Sequence, residues 1–191
     1  MESKDCSLLN ISAADICWVF PQDGWVKINV NGSRDVATGS ITTGGIFRNA
    51  RRDWILGFVA NKEAGSILEA EIWGILEGLQ IAWSKEFKEI YVECDSKEAI
   101  DLLLKEQNLN HPLQSLIISC KMLLNKSWIV SLSHIYREAN RVADGLAALG
   151  HTGNLGAVIL KNPPPCILSL LTDDSRGISF PRLLSCNLTT S

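Results

Sequence analysis

Four positions in this sequence pair a suitable side chain with a suitable place in the chain: Asn31, Glu71, Asp95 and Asp144. Asn31 closes the alternating stretch Trp25–Asn31, and Asp95 follows directly on the alternating stretch Glu89–Cys94. Glu71 lies in a long helical run, and Asp144 in the first turn of the last one. In an open sheet, groups at adjacent strand ends converge on one crevice. Carboxylates gathered there are candidate ligands for a divalent cation. Mg²⁺ takes oxygen ligands, keeps several waters, and is commonly shared between a few carboxylates and a phosphate. Two such ions about 4 Å apart activate a water and stabilise the leaving oxygen in phosphodiester cleavage. Each residue also has a plainer role open to it. Asp95 suits a helix N-cap, Asp144 a favourable charge near a helix N-terminus worth under about 1 kcal/mol, and Glu71 a solvated helix face. Asn31 suits a turn before Gly32. Periodicity does not choose between Glu69 and Glu71, since both flank the apolar stripe.

The elements that must position these groups are legible in the pattern. Trp25–Asn31 alternates apolar and polar residues and reads as a strand with one buried face, ended by Gly32 and Ser33. Gly44–Arg48 and Trp54–Val59 flank a polar turn and read as a hairpin. Leu68, Ile72, Ile75, Leu76, Leu79, Ala82 and Trp83 recur at helical spacing and make one apolar stripe. Glu89–Cys94 is a strand with Ile90, Val92 and Cys94 on one face. Asp95-Ser96-Lys97-Glu98 resembles a capping box opening a helix through Leu104. A second apolar-periodic helix spans Leu116–Leu124, a last strand Trp128–Tyr136, and a last helix Val142–Leu149, with Asn140 as its N-cap and Gly150 as its stop. Helix-linked strands favour parallel pairing and hairpin-linked strands antiparallel pairing. The sequence therefore predicts an α/β fold with a mixed sheet and helices on its faces. Residues 1–23 read as an irregular lead, 24–150 as the domain, and 151–191 as a tail carrying Pro163-Pro164-Pro165. Val158, Ile159, Leu160, Ile167, Leu168, Leu170 and Leu171 suggest partial docking of that tail.

Composition narrows the class. The 191 residues are 46% hydrophobic and 20% charged with a net charge of −3, the balance of one soluble globular domain rather than of a strongly basic nucleic-acid binder. No apolar run approaches the roughly 20 residues that cross a bilayer. Met1–Asn10 carries acids and no basic region before an apolar stretch, so a secretory leader is not expected. The six cysteines, Cys6, Cys17, Cys94, Cys120, Cys166 and Cys186, form no C-x-x-C pair and read as free thiols of a reducing compartment. An intracellular protein, nuclear or cytoplasmic, is the expectation, and the sequon at Asn187 then carries no meaning.

Taken in order, Asn29-Val30-Asn31-Gly32-Ser33, Gly44-Gly45-Ile46-Phe47-Arg48, Trp54-Ile55-Leu56-Gly57-Phe58, Leu68-Glu69-Ala70-Glu71-Ile72-Trp73, Glu93-Cys94-Asp95-Ser96 and the stretch His134–Asp144 resemble the ribonuclease H-like (reverse-transcriptase-like) family of flowering plants. The likeness covers about residues 18–150, and Phe180-Pro181-Arg182 is similar to the ends of those proteins. The resemblance implies a five-stranded mixed sheet, three antiparallel strands followed by two parallel ones. It implies a site for two Mg²⁺ (or Mn²⁺) ions and hydrolysis of the RNA strand of an RNA–DNA hybrid. By the same resemblance Glu71, Asp95 and Asp144 match three metal-binding carboxylates, and Glu71 is preferred to Glu69.

The fourth carboxylate, an Asp in the family's N-x-D-G-S pattern, falls on Asn31. An amide offers a neutral carbonyl oxygen where a carboxylate brings a full charge and can bridge two cations. The loss should weaken at least one ion by several kcal/mol, on the order of powers of ten in rate. Asp35, four residues on, substitutes only if its loop folds back. His134 stands ten residues before Asp144, the spacing of a loop His that aids product release in bacterial members, yet the alternation of Trp128–Tyr136 places it in a strand. Arg52 replaces a Gly usual in the second hairpin turn, which should alter that loop only. Gly32, Ser33 and Arg34 fall where family members contact the nucleic-acid backbone. Weak, salt-sensitive binding of an RNA–DNA hybrid or RNA by a monomer is the expectation. The competing one is a catalytically silent RNA-binding or protein-interaction module.

Overall fold

A computed structural model describes residues 11–105, 111–153 and 155–185. The elements are β1 (Ile11–Ile16), β2 (Val26–Arg34), β3 (Ser40–Arg48), β4 (Trp54–Ala64), α1 (Ile67–Ser84), β5 (Glu89–Cys94), α2 (Lys97–Leu104), α3 (Gln114–Leu124), β6 (Ile129–His134), α4 (Arg141–Gly150), β7 (Gly156–Leu160), α5 (Leu168–Arg176) and β8 (Phe180–Ser185). Short 3-10 turns lie at Arg137–Ala139 and Pro165–Ile167. Cys6, Cys186, the sequon at Asn187 and residues 1–10 of the lead fall outside the described residues. Cys17, Cys94, Cys120 and Cys166 are free thiols. Among the described residues no helix is long and apolar enough to cross a membrane.

β2 is the hinge of the main sheet. It pairs antiparallel with β3 on one side and parallel with β5 on the other, and the sheet runs β6-β5-β2-β3-β4-β7. The α/β class and the mixed pairing are as the sequence predicts, but the sheet has six strands rather than five. The sixth is β7, laid antiparallel along the outer edge of β4. β4 runs for 11 residues, well past the hairpin segment evident in the sequence. Its outer edge accepts the short apolar run Gly-Ala-Val-Ile-Leu. Two further corrections concern the chain ends. The lead holds β1 and the tail holds α5 and β8, and β1 pairs antiparallel with β8 in a separate two-stranded ribbon. β1 carries no long alternation, and its partner lies far away in the sequence, so local patterning does not reveal it.

Both faces of the sheet are covered, as expected. Along β3, Phe47 joins the cluster formed with Ile28, Val30, Phe58, Ile72, Ile75, Leu79 and Val92 under α1, whereas Ile46 packs with Val142, Leu146 and Ile167 under α4. The period of two in a strand sends neighbours to opposite faces. On the α4 side Gly44 is required by contact: a Cβ there would lie 2.2 Å from the Ala147 amide nitrogen. The helix backbone rests directly on β3, which fixes how deep α4, and with it Asp144, is seated.

A buried polar network ties the tail to the same face. Arg48 Nη1 donates to Asp174 Oδ2 of α5 at 2.6 Å, and Nη2 donates to Asn29 Oδ1 at 2.8 Å. The guanidinium stacks 3.6 Å over the Trp18 ring, whose Nε1 donates to the same Asn29 oxygen. Asn29 Nδ2 in turn donates to Glu93, which also pairs with Lys27. Arg52 does more than alter its loop. It takes a left-handed φ of 69°, a conformation Gly adopts more readily, and its guanidinium donates to the Ser175 carbonyl of α5.

Candidate active site

The parallel register between β2 and β5 sets the site. Val30 lies beside Cys94, so the next residues, Asn31 and Asp95, leave adjacent strands at the same end. β2 continues through Gly32 and Ser33 to Arg34 instead of ending at Asn31, because β3 supplies partners across to Ile41. Asn31 is therefore a strand residue and not part of a turn. Asp95 is not a helix cap either: Ser96 caps α2, its side chain accepting from the Ala99 amide. The Asp95 carboxylate is left to the crevice.

Gly32 brings the helix in. A Cβ at that position would fall 2.5 Å from the Glu71 amide nitrogen, so only glycine lets β2 and α1 approach this closely. The approach allows the Gly32 N–H to donate to Glu71 Oε2 at 2.9 Å. Glu71 is thereby selected over Glu69, which lies in the first turn of α1, two residues nearer its start. Cys94 Sγ also donates to Glu71 Oε2, at 3.4 Å. Glu71, Cys94 and Asp95 present potential ligand atoms that all lie within 4.8 Å of one another.

Asp144 reaches the group through residue 31. Asn31 Nδ2 donates to Asp144 Oδ1 at 2.9 Å, joining β2 to the first turn of α4. Asn31 is buried, and among the described residues its other amide atom, Oδ1, has no hydrogen-bond partner. Asn140 helps hold this arrangement. It stands at the N-cap position of α4, but its side chain donates to the Val30 carbonyl at 2.9 Å and does not cap the helix.

The electrostatics are those of an acidic crevice in which burial outweighs the nearby Arg137 charge. Burial pushes the Glu71 carboxyl up to about 8, and the neighbouring Asp95 charge adds to the rise, with part offset by the Cys94 and Gly32 hydrogen bonds and by Arg137. Burial likewise holds Asp95 above its ordinary value against the pull of Arg137, whose Nε lies 3.7 Å from Asp95 Oδ2. Burial pushes the Cys94 thiol well up, so it stays protonated. Hard oxygen donors, an unpartnered buried amide oxygen and carboxylates that resist ionisation fit a divalent cation such as Mg²⁺ or Mn²⁺.

A cleft of about 320 Å³ opens onto this group, lined by Glu71, Asp95, His134, Tyr136, Arg137 and Arg182. His134 lies in a strand, as its alternation predicts, but as the last residue of β6, which stops short of the expected Tyr136; it still lines the cleft, edge-on to Tyr136. Strand membership and proximity to the acids are thus compatible. The Gly32 amide is taken by Glu71, the Ser33 hydroxyl lies 3.0 Å from His151 Nε2, and Arg34 Nε donates to the Gly65 carbonyl. Asp35 does not fold back: its Oδ1 accepts from the Ala37 and Thr38 amides in the loop. Sequence reasoning missed Cys94, Arg137 and Arg182. Cys94 looked like one more apolar position on its strand, and Arg182 lies in a segment with no periodicity to place it.

Residues 29–150 match the profile of the reverse transcriptase-like family. The chain belongs to that family. A protein of Arabidopsis thaliana that carries a ribonuclease H name is 38% identical over 167 residues, 87% of this chain. The chain spans only 27% of that relative's length. Among solved structures, the RNase H1 of the archaeon Halobacterium salinarum superposes with a TM-score of 0.62 at 20% identity, over 67% of this chain and 98% of that one. The N-terminal RNase H domain of a Mycobacterium tuberculosis protein gives 0.61 at 22% identity, over 67% and 94%. LC11-RNase H1, solved in complex with an RNA/DNA hybrid, gives 0.59 at 16% identity, over 65% and 94%. The reverse transcriptase-like domain therefore has the ribonuclease H fold.

Proposed function

We propose that this reverse transcriptase-like domain binds RNA–DNA hybrid through a divalent-metal site formed by Glu71, Asp95 and Asp144, and that Asn31 leaves its hydrolytic activity strongly impaired. Support comes from family membership, from the Glu71 and Asp95 carboxylates brought together at one end of the β2–β5 pair, and above all from the Asn31–Asp144 hydrogen bond, which ties the first turn of α4 to that end. That bond commits one Asp144 oxygen to an amide N–H, which does there what a cation would otherwise do.

Mg²⁺ or Mn²⁺, when bound by Glu71, Asp95 and Asp144 with the Asn31 carbonyl oxygen, would supply Lewis acidity toward a phosphodiester and lower the pKa of an attacking water. The protein's own part is positional. The Gly32 amide fixes the Glu71 carboxylate, Ser96 frees Asp95 by capping α2 in its place, and Asn140 holds the start of α4 against β2. The Asn31 amide leaves this set one negative charge short.

A labelled RNA–DNA hybrid incubated with Mg²⁺ or Mn²⁺ tests the proposal. The natural chain should cleave slowly or not at all, and Asn31→Asp should cleave at least about tenfold faster, the equivalent of 1.4 kcal/mol. Equal, substantial cleavage by both would refute the impairment. The second reading, a silent hybrid-binding module, is favoured by the same Asn31–Asp144 bond. It predicts hybrid binding at low salt with no cleavage by either form.

A further inference from the structure

The cleft over the acids is walled on one side by residues that do not belong to the acid-bearing elements. Tyr136 and Arg137 come from the turn after β6, and Arg182 comes from β8, brought in by the ribbon that β8 forms with β1, where Arg182 pairs with Ala14. The Arg182 guanidinium stacks 4.5 Å over the Tyr136 ring. Its Nη1 donates to both oxygens of Glu138 at 2.9 Å. Among the described residues its Nε and Nη2 donors have no protein partner, and the side chain is 38% exposed at the cleft. Arg137 beside it is 76% exposed, and among the described residues its one ion pair is the long contact to Asp95. In a chain of net charge −3, two arginines with open donors thus border a crevice of carboxylates. Tyr136 and Glu138 hold one of them in a fixed pose. Guanidinium donors fixed in this way suit phosphate oxygens, which accept paired N–H groups. A crevice of acids alone repels a polyanion, so a cationic lip is the feature such a site needs.

We propose that Arg182, together with Arg137, forms a cationic lip that holds a backbone phosphate of a nucleic-acid strand crossing the acidic cleft, so that the C-terminal strand is part of the substrate-binding surface. This rests on the nucleic-acid reading given under Proposed function. Glu138 has two effects on the lip: it orients Arg182 and neutralises part of its charge. Removing Glu138 and removing Arg182 should therefore act in opposite directions on binding. A purely structural Arg182–Glu138 bridge would make both changes act in the same direction.

The test is fluorescence anisotropy of a labelled RNA–DNA hybrid with the full chain in EDTA, across a series of salt concentrations. Readings are taken for the natural chain, Arg182→Gln, Glu138→Gln and the remote control Arg51→Gln, with thermal unfolding of each. Arg182→Gln should weaken binding about three- to tenfold and lower the slope of log affinity against log salt by about one. Glu138→Gln should tighten binding, and Arg51→Gln should leave it unchanged. If the natural chain binds and Arg182→Gln binds equally well with the same salt slope, the lip is refuted while the nucleic-acid reading survives. Weakening by Arg182→Gln and Glu138→Gln alike also refutes it, leaving the bridge structural. No association of the natural chain at low salt, either in EDTA or after Mg²⁺ is added, refutes the lip and the nucleic-acid reading together.

Discussion

Glu71 should make the metal-free protein lose stability as pH rises, and removing its charge should abolish that loss. The residue is 7% exposed, and this burial, with the Asp95 charge beside it, raises the carboxyl from 4.5 to about 8. The sign follows from linkage. Between those two values the folded state keeps a proton that the unfolded chain has released, so unfolding releases a proton and rising pH favours it. The effect is absent below about 4.5, grows through the interval, and is complete above about 8. At about 1.4 kcal/mol per pH unit it amounts to a loss on the order of 5 kcal/mol, much of the stability of a typical domain. Glu71→Gln keeps an oxygen acceptor for the Gly32 amide but has no proton to release. Urea unfolding in EDTA, from pH 5 to pH 8.5, reads the difference directly. The two proteins should be similar near pH 5, and the Gln variant should be more stable by several kcal/mol at pH 8.5. Saturating Mg²⁺ should restore the natural chain at the high pH and do much less for the variant. Parallel pH curves for the two proteins would refute the assignment of a buried, cation-seeking carboxyl to Glu71.

Three further outcomes follow from the same geometry. In EDTA at pH 8, Asn31→Asp should lower unfolding stability by about 2 kcal/mol, because it replaces a hydrogen bond to a carboxylate with a second carboxylate at the same place, and added Mg²⁺ should erase the deficit; a variant equally stable with and without metal would contradict this. Asp174→Ala should cost about 3–5 kcal/mol in urea unfolding by leaving the buried Arg48 unpaired, and a loss under about 1 kcal/mol would show that the tail is not needed by the core. Gly44→Ala should cost at least about 2 kcal/mol and reduce metal affinity along with stability, since its Cβ would displace α4 and Asp144 with it; unchanged metal binding would place Asp144 outside the centre.

How much of this was legible in the sequence depended on the range of the interactions involved. The helix of Glu71 and the strand before Asp95 are written in local periodicity, so α1 and β5 appear close to their observed limits. Asp95 was ambiguous because a strand-end acid and an N-cap look alike in sequence, and the neighbouring Ser96 takes the cap only once the backbone turns. Asn31 looked like a turn residue because Asn-Gly usually marks one. Here Gly32 is instead required by the close approach of α1, a contact with a residue 39 positions away. β7, the β1–β8 ribbon and the Arg48–Asp174 pair escaped for the same reason. Each depends on a partner far along the chain, and neither a five-residue apolar run nor a lone Arg announces its partner.

The proposed metal centre is tested most directly by titrating Mn²⁺ into the natural chain and into Asn31→Asp and following the paramagnetic resonance signal of the free ion. A site that lacks only the charge at residue 31 predicts that the variant binds Mn²⁺ at least about tenfold more tightly, and that Asp95→Asn abolishes that tighter binding. Identical affinity in the natural chain and in Asn31→Asp would contradict the placement of residue 31 in a divalent-metal site.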